Sequence, residues 1–155
     1  MLYPDVELLD VTGPLSILHG ANRRLGRVAY DFHYLAATPG LVPSSCGLAL
    51  QATQGLLRSR ASFHTLLVPG GEGTRAQYVN APFIAALRRL ALRAHRVVSV
   101  CTGSSLLAQA QLLQGKPCTS HWAYCEDLRK LHPECEVKPD PIFVHTGKIW
   151  TSAGV

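Results

Sequence analysis

The chain has 155 residues, about the length of one domain, and its formal net charge of +5 allows contact with nucleic acid without showing it. With 47% hydrophobic and 16% charged residues, it lies outside the polar composition that keeps chains unfolded. Its apolar runs are much shorter than the roughly 20 residues of a membrane span. The first residues show neither the basic nor the apolar region of a secretion signal. We therefore expect one folded domain over residues 1–155, a cytoplasmic location and no membrane partner.

In the first half of the chain, the pattern predicts one helix and three strands. Pro14 is expected in the first turn of the helix, with Thr12 or Gly13 near its cap, and Gly26 is expected to end it. The predicted strands are residues 30–37, 45–52 and 64–68. The last of these strands is buried and leads into a Pro-Gly-Gly turn, where glycine frees the backbone.

In the second half, helices alternate with buried strands. A helix capped by Asn80 is expected to bury Phe83, Leu87, Leu90 and Ala94, which repeat at helical spacing. The other predicted elements are a strand at 96–100, helices at 104–114 and 122–131, and hairpin strands at 142–144 and 148–151. This alternation predicts an α/β fold with a mixed sheet.

Both ends of the chain depart from this pattern. A doubly wound sheet usually opens with a full apolar strand, yet only Met1-Leu2-Tyr3 precedes the turn at Pro4-Asp5. The small residues at 151–155 resemble the start of a turn and helix rather than a terminus. We therefore predict a fragment truncated at both ends.

The sharpest chemical feature is Cys101, which stands between a buried strand and a Thr-Gly turn that opens a helix. This order is typical of a nucleophile elbow, where a strained turn holds a nucleophilic side chain above the sheet. The positive end of the following helix would favour the thiolate. The alternative is a buried, inert cysteine, which is the commonest role of a single cysteine.

Four motifs in chain order carry a family resemblance: Leu-Leu-Asp-Val-Thr-Gly-Pro at 8–14, Val-Pro-Gly-Gly at 68–71, Val-Cys-Thr-Gly at 100–103 and Thr-Ser-His-Trp at 119–122. Together they resemble the ThiJ/PfpI group of class I glutamine amidotransferase-like proteins. The resemblance implies a flavodoxin-like three-layer sandwich with a mostly parallel sheet and a small β-hairpin. It also implies a homodimer, with the cysteine at the carboxyl ends of the parallel strands.

The resemblance assigns roles to the residues that match its motifs. Cys101 matches the elbow cysteine, and Asp10 matches an acidic residue that hydrogen-bonds to it. A carboxyl group held against sulfur in a partly dry pocket should have a raised pKa and could donate a proton near neutrality. Taken alone, Asp10 could equally be a charge at a helix N-terminus. Gly71 and Thr102 match positions whose backbone N–H groups form an oxyanion hole.

Four further residues are expected to bind the ligand: Gly70, Gly103, His121 and Trp122. His121 lies in the Thr-Ser-His-Trp segment and would line the mouth of the pocket. In the protease branch of the family a histidine directly follows the cysteine, whereas this chain has Thr102 there. The difference argues against peptidase activity and resembles the isonitrile hydratase branch.

The five cysteines are odd in number and irregularly spaced, so we expect reduced thiols rather than a disulfide framework. A zinc site is the rival interpretation for the set Cys118, His121, Cys125, His132 and Cys135, whose side chains suit Zn²⁺. Their spacing is looser than that of structural zinc ligands. His121 also belongs to the Thr-Ser-His-Trp motif, which Cys118 directly precedes. We therefore expect neither a metal nor a cofactor.

The same motifs occur in two functional settings. Segments 20–24 and 140–155 resemble the N-terminal domain of AraC-type transcription regulators, which senses a small-molecule ligand or holds a dimer together. The alternative is an isonitrile hydratase-like enzyme, in which Cys101 and Asp10 hydrate a small isonitrile to an N-substituted formamide. The chain contains no pair of short helices with a basic second helix, so we expect DNA contact only through a module beyond Val155.

Overall fold

The computed structural model describes residues 1–154 and shows short strands alternating with helices. The helices are α1 (Leu8–Leu25), α2 (Thr74–Tyr78), α3 (Ala81–Arg93), α4 (Gly103–Gln109) and α5 (Cys125–Leu131), with a 3₁₀ helix at Trp122–Tyr124. The strands are β1 (Leu35–Ala36), β2 (Gly40–Pro43), β3 (Ala49–Ala52), β4 (Gln54–Gly55), β5 (Thr65–Val68), β6 (Arg96–Val100), β7 (Pro117–Cys118), β8 (Glu136–Val137), β9 (Phe143–Thr146) and β10 (Ile149–Ser152). No helix within residues 1–154 is long and apolar enough to cross a membrane.

The main sheet has four strands in the order β5-β6-β10-β9. β5 and β10 both run parallel to β6, and the hairpin strand β9 runs antiparallel to β10. Val68 of β5 and Thr151 of β10 both pair with Ser99 of β6, so three parallel strands end at one edge. This arrangement confirms the predicted α/β class with a mostly parallel sheet and a β-hairpin.

The first three residues lie between two strands, although they are not themselves a regular strand. The amino group of Met1 donates to the carbonyl oxygen of Leu67 in β5 at 2.8 Å, and the amide of Leu2 donates to that of Leu35 in β1 at 2.6 Å. All of Met1-Leu2-Tyr3 is buried. The segment therefore connects the main sheet to the β1-β4 pair and belongs to the core.

The start of α1 differs from the prediction. The helix begins at Leu8, where the carboxylate of Glu7 accepts a hydrogen bond from the amide of Leu9, and Pro14 lies inside it. A proline in a helix removes one backbone hydrogen bond, and here the Glu7 cap and the burial of Val11 offset that loss. The cap predicted at Thr12 or Gly13 is therefore wrong. The predicted end is confirmed, since Gly26 has a left-handed φ of 64° and its N–H bonds to Arg23.

Other element boundaries differ from the predicted ones because of local backbone conformation or strand pairing. The helix predicted to reach residue 114 ends at Gln109, followed within two residues by Gln111 at a left-handed φ of 59°. The strand predicted at 30–37 is reduced to β1, and residues 49–52 pair with β2, a strand that was not predicted. Asn80 caps α3 as predicted, accepting from the amide of Phe83 at 3.2 Å.

The hydrophobic core includes the inner face of α3 and the neighbouring strands of the sheet. The four residues predicted for the inner face of α3 are all buried: Phe83, Leu87, Leu90 and Ala94. They belong to one buried cluster with Leu66, Val68 and Val97 of the parallel strands. This packing fixes the strand ends from which the site is built.

Candidate active site and comparison with known proteins

Cys101 occupies the turn between β6 and α4, which we call the elbow (residues 100–103). Its φ of 56° is left-handed, a strained conformation for a residue other than glycine. Its amide donates to the carbonyl oxygen of Ser152 at 3.0 Å, and its carbonyl oxygen accepts from the hydroxyls of Ser104 and Ser120. The strain is therefore held by hydrogen bonds on both sides, and the side chain is only 8% exposed.

Glycines let three backbone segments approach the elbow. A Cβ on Gly70 would lie 2.8 Å from the Cβ of Cys101, and one on Gly154 would lie 2.6 Å from it. A Cβ on Gly103 would overlap the carbonyl oxygen of Val68. The structure therefore gives Gly70 and Gly103 a packing role at the elbow, which is separate from the ligand-binding role expected for them.

Asp10 is 2% exposed and reaches the elbow from the first turn of α1. Its Oδ2 accepts from the amide of Gly70 at 2.9 Å, and its Oδ1 has no hydrogen-bond partner within residues 1–154. Burial raises the pKa of Asp10, while the Gly70 hydrogen bond and the nearby His121 oppose that change. This is the predicted direction of the pKa, but the hydrogen bond that fixes the carboxyl group comes from Gly70 rather than from sulfur.

The thiol of Cys101 is less acidic than the motif predicts. Burial raises its pKa, the negative charge of Asp10 raises it further, and hydrogen bonding by Thr102 opposes both. The expectation of a thiolate is therefore wrong in direction. A helix of seven residues supplies only a partial charge, and here desolvation and a neighbouring carboxylate outweigh it.

The expected oxyanion-hole donors are arranged around the Thr102 side chain. The amide of Gly71 donates to the Thr102 Oγ1 at 3.0 Å, and that oxygen lies 3.0 Å from the Thr74 Oγ1. Tyr3 joins this network, since its hydroxyl lies 3.3 Å from the Thr74 Oγ1 and donates to the carbonyl oxygen of Pro69 at 2.5 Å. The Gly71 amide is thus already hydrogen-bonded. Sequence reasoning missed Tyr3 and Thr74, which belong to no motif.

A cavity of about 190 Å³ adjoins the elbow, and we call it the elbow cavity. Its lining combines hydroxyl groups, three charged side chains and an apolar wall. The lining residues are Gly71, Glu72, Thr74, Arg75, Tyr78, Thr102, Ser105, Tyr124, Asp127, Leu128 and Leu131. Gly71 and Thr102 connect the cavity to the predicted site. Such a concave space with convergent polar groups is typical of a small-molecule site.

The other two expected ligand-binding residues lie at the surface near this site. His121 caps the 3₁₀ helix, with its Nδ1 accepting from the amide of Ala123 at 3.2 Å. When the ring is protonated instead, that hydrogen bond is lost and the charge of His121 lowers the pKa of Asp10. Trp122 is 77% exposed, with its ring centroid 5.5 Å from that of His121. His121 is therefore close enough to influence Asp10 electrostatically, whereas Trp122 mainly faces solvent.

The rival zinc ligands do not converge. Within residues 1–154, no three side chains of His, Cys, Asp or Glu are grouped so that they could hold a metal ion. Cys125 donates to the carbonyl oxygen of Ser120, and both ring nitrogens of His132 have other partners. All five cysteines are free thiols, and only Cys46 is exposed. The structure gives the zinc hypothesis no support.

Comparison with known proteins shows the family of the chain. The DJ-1/PfpI family matches residues 1–155. The chain is 36% identical over 155 residues to an isonitrile hydratase from Pseudomonas putida, covering 100% of this chain and 64% of that protein. It is 31% identical over 155 residues to the HTH-type transcriptional regulator GlxA from Rhizobium meliloti (strain 1021), covering 99% of this chain and 47% of that protein.

Among solved structures, a ThiJ/PfpI family protein from Pseudomonas syringae superposes with a TM-score of 0.84 at 29% identity. The match covers 99% of this chain and 60% of the other, and it confirms the predicted flavodoxin-like fold. The chain thus spans less than two thirds of each of these three proteins. By its matched residues and its fold, the chain belongs to the DJ-1/PfpI family.

Proposed function

We propose that this chain is the ligand-sensing and dimerisation domain of an AraC-type transcription regulator. The observation that carries the proposal is the state of the elbow: the Cys101 thiol is buried and its pKa is raised. A cavity adjoins the elbow, and its lining includes Thr102 and Gly71 but not Cys101. The relatives that are HTH-type transcriptional regulators support the proposal, because their similarity extends over 99% of this chain.

The elbow is better prepared to bind than to catalyse. A cysteine nucleophile acts as the thiolate, and burial together with the charge of Asp10 disfavours that form. The Gly71 amide, an expected oxyanion donor, already donates to Thr102. A sensor needs neither a thiolate nor a vacant oxyanion hole, since a ligand acts by binding one conformation better than another.

The proposal extends to partners and location. A homodimer would bury the large apolar side chains that α1 exposes: Leu9, Ile17 and Leu25. DNA contact would come from a helix-turn-helix module beyond Val155, and the regulator would act in the cytoplasm. An Ile17→Asp variant should dissociate the dimer in size-exclusion chromatography with light scattering, because it would bury a charge in the interface.

The reading frame beyond the codon for Val155 provides the direct test. We expect it to encode two short helix pairs, each with a basic second helix that fits the major groove. The full-length product should bind a DNA fragment from its own promoter region in a mobility-shift assay. A frame that stops within a few codons of Val155 would overturn the proposal.

A second candidate is an isonitrile hydratase-like enzyme, favoured by the unpartnered, buried Oδ1 of Asp10 beside Cys101 and by the 36% identity to such an enzyme. The sulfur would bond to the terminal isonitrile carbon, the thiol proton would pass to Asp10, and Asp10 would protonate that carbon. Water would then replace sulfur, releasing the N-substituted formamide and the thiol.

Incubation with n-butyl isonitrile tests this candidate. Formation of N-butylformamide by the wild type but not by Cys101→Ala would support it, and equal yields would remove it.

A further inference from the structure

Three side chains outside the elbow form a hydrogen-bonded chain: Tyr78 at the end of α2, then His132 and Glu134 after α5. The Tyr78 hydroxyl lies 2.9 Å from the Nε2 of His132, and the Nδ1 of His132 lies 3.0 Å from the Oε1 of Glu134. His132 is 7% exposed, so its ring is held inside the protein by these two contacts. We call this set the Tyr78 relay.

Glu134 determines which nitrogen of His132 carries the proton. A hydrogen bond from its own backbone amide and one from His132 lower the pKa of Glu134, so its carboxylate is ionised at neutral pH and can only accept. In the neutral form of His132, the Nδ1 must therefore carry the hydrogen and the Nε2 must be an acceptor. The single hydroxyl proton of Tyr78 then points to the Nε2, because burial raises the pKa of Tyr78 and keeps it protonated.

This proton order gives the Tyr78 oxygen a definite character. Its one hydrogen is committed to His132, so towards any other partner the oxygen can only accept. Tyr78 lines the elbow cavity together with Glu72 and Asp127, whose carboxylates are also acceptors. Arg75 is the single cationic side chain of that lining, and within residues 1–154 none of these three charged groups forms an ion pair. Carboxylates therefore outnumber cationic side chains in the lining by two to one.

We propose that the Tyr78 relay makes the elbow cavity a binding site for a small alkyl ammonium compound, with the Tyr78 oxygen accepting a hydrogen bond from the ammonium group. The apolar wall of Leu128 and Leu131 would hold the alkyl part. The proton order of the relay stands by itself. The assignment of the ligand class rests on the proposed ligand-sensing function and names the chemistry that the sensor recognises.

The first test is the tautomer of His132, read from the ¹⁵N chemical shifts of its ring in the full chain. We expect the Nδ1–H form in the wild type, whereas an isolated neutral histidine prefers Nε2–H. Glu134→Ala removes the acceptor and should shift His132 towards Nε2–H. Glu136→Ala is the matched control, since this exposed residue is close in sequence but does not contact His132. A wild-type Nε2–H form would overturn the relay.

The second test compares two probes that share an isobutyl group, isobutylammonium and isovalerate, by the amide shifts of Thr102 and Ser105. We expect saturable shifts with isobutylammonium and little binding of isovalerate. Tyr78→Phe should weaken the binding of isobutylammonium about tenfold, since a hydrogen bond to a charged group is lost. Tyr30→Phe is the control, because this exposed tyrosine lies outside the cavity lining.

The outcomes test the ammonium site and the regulator proposal separately. Equal binding by wild type and Tyr78→Phe, or tighter binding of isovalerate, overturns the ammonium site. Failure of both probes to bind overturns it as well, even when His132 carries its hydrogen on Nδ1. A reading frame that stops near Val155 overturns the regulator proposal instead, and leaves the measured tautomer and binding unchanged.

Discussion

Cys101 at the elbow and Cys46 in the turn at residues 44–48 are cysteines in opposite environments. Cys101 is buried in a strained, hydrogen-bonded corner, and its pKa is raised by burial and by Asp10. Cys46 is exposed, and hydrogen bonding by Ser44 lowers its pKa. Solvation and local hydrogen bonds therefore set the acidity of these thiols, and a strand-to-helix motif by itself does not.

The largest difference between the elbow and the Cys46 turn should be the stability that each loses when a methyl group is added to a glycine. Gly103→Ala places a Cβ against the carbonyl oxygen of Val68, which is backbone and cannot rotate away. We expect the free energy of unfolding to fall by about 3 kcal/mol in urea denaturation. Gly47→Ala is the control in the Cys46 turn. A Cβ on Gly47 would meet no neighbouring atom, and only the left-handed φ of 86° would be strained. We therefore expect the free energy of unfolding to fall by about 1 kcal/mol. Equal losses would contradict the tight packing of the elbow.

The order of thiol modification tests the comparison directly. With iodoacetamide at pH 8, we expect Cys46 to be alkylated about tenfold faster than Cys101, because it is exposed and its pKa is lowered. Peptide mapping by mass spectrometry measures both rates in one sample. Cys46→Ser and Cys101→Ser identify the peptides. Faster modification of Cys101 would show that the elbow thiol is activated and would favour the enzyme over the sensor.

The buried charge of Asp10 gives the elbow a pH dependence. Burial raises the folded-state pKa of this carboxyl group, so above that pKa its ionisation destabilises the fold, and the cost disappears as pH falls to the unfolded pKa of 3.8. Asp10→Asn removes the charge and should raise the unfolding free energy by about 1 kcal/mol at pH 7.

The advantage of Asp10→Asn over the wild type should shrink steadily as the pH is lowered towards 4 in urea denaturation. The same variant should speed the alkylation of Cys101, because the carboxylate that raises the thiol pKa is gone. Asp5→Asn serves as the control, since it makes the same change at an exposed carboxylate on the same segment. A stability difference that does not change with pH would remove the buried charge as its cause.

Sequence patterns located the elbow because its signals are local. The buried apolar strand β6, a cysteine and a Thr-Gly turn stand next to one another in the chain. The cap of α3 at Asn80 and the hairpin of β9 and β10 were predictable for the same reason.

The state of the site depends on contacts between distant segments, and no local pattern contains them. Asp10 is fixed by the amide of Gly70, 60 residues away. Asp10 also lies in the first turn of α1, which the sequence did not predict because Pro14 is typical of a later helix start. Cys101 has a raised pKa because Asp10 and the surrounding backbone bury it. The hydrogen bond between the Gly71 amide and Thr102 likewise joins residues 31 positions apart.

The smallest effect should come from Ser44, whose Oγ lies 3.3 Å from the Cys46 sulfur and 2.6 Å from the carbonyl oxygen of Leu48. When Cys46 ionises, the Ser44 hydroxyl can turn and donate to the thiolate, so Ser44→Ala should raise the thiol pKa and slow its alkylation about threefold at pH 8. Ser45→Ala is the matched control, since Ser45 donates to Glu7 rather than to sulfur. If Ser44→Ala instead speeds alkylation, the hydroxyl stays bonded to Leu48 and the Cys46 thiol is the donor. The low pKa of Cys46 would then have to come from the backbone of the turn.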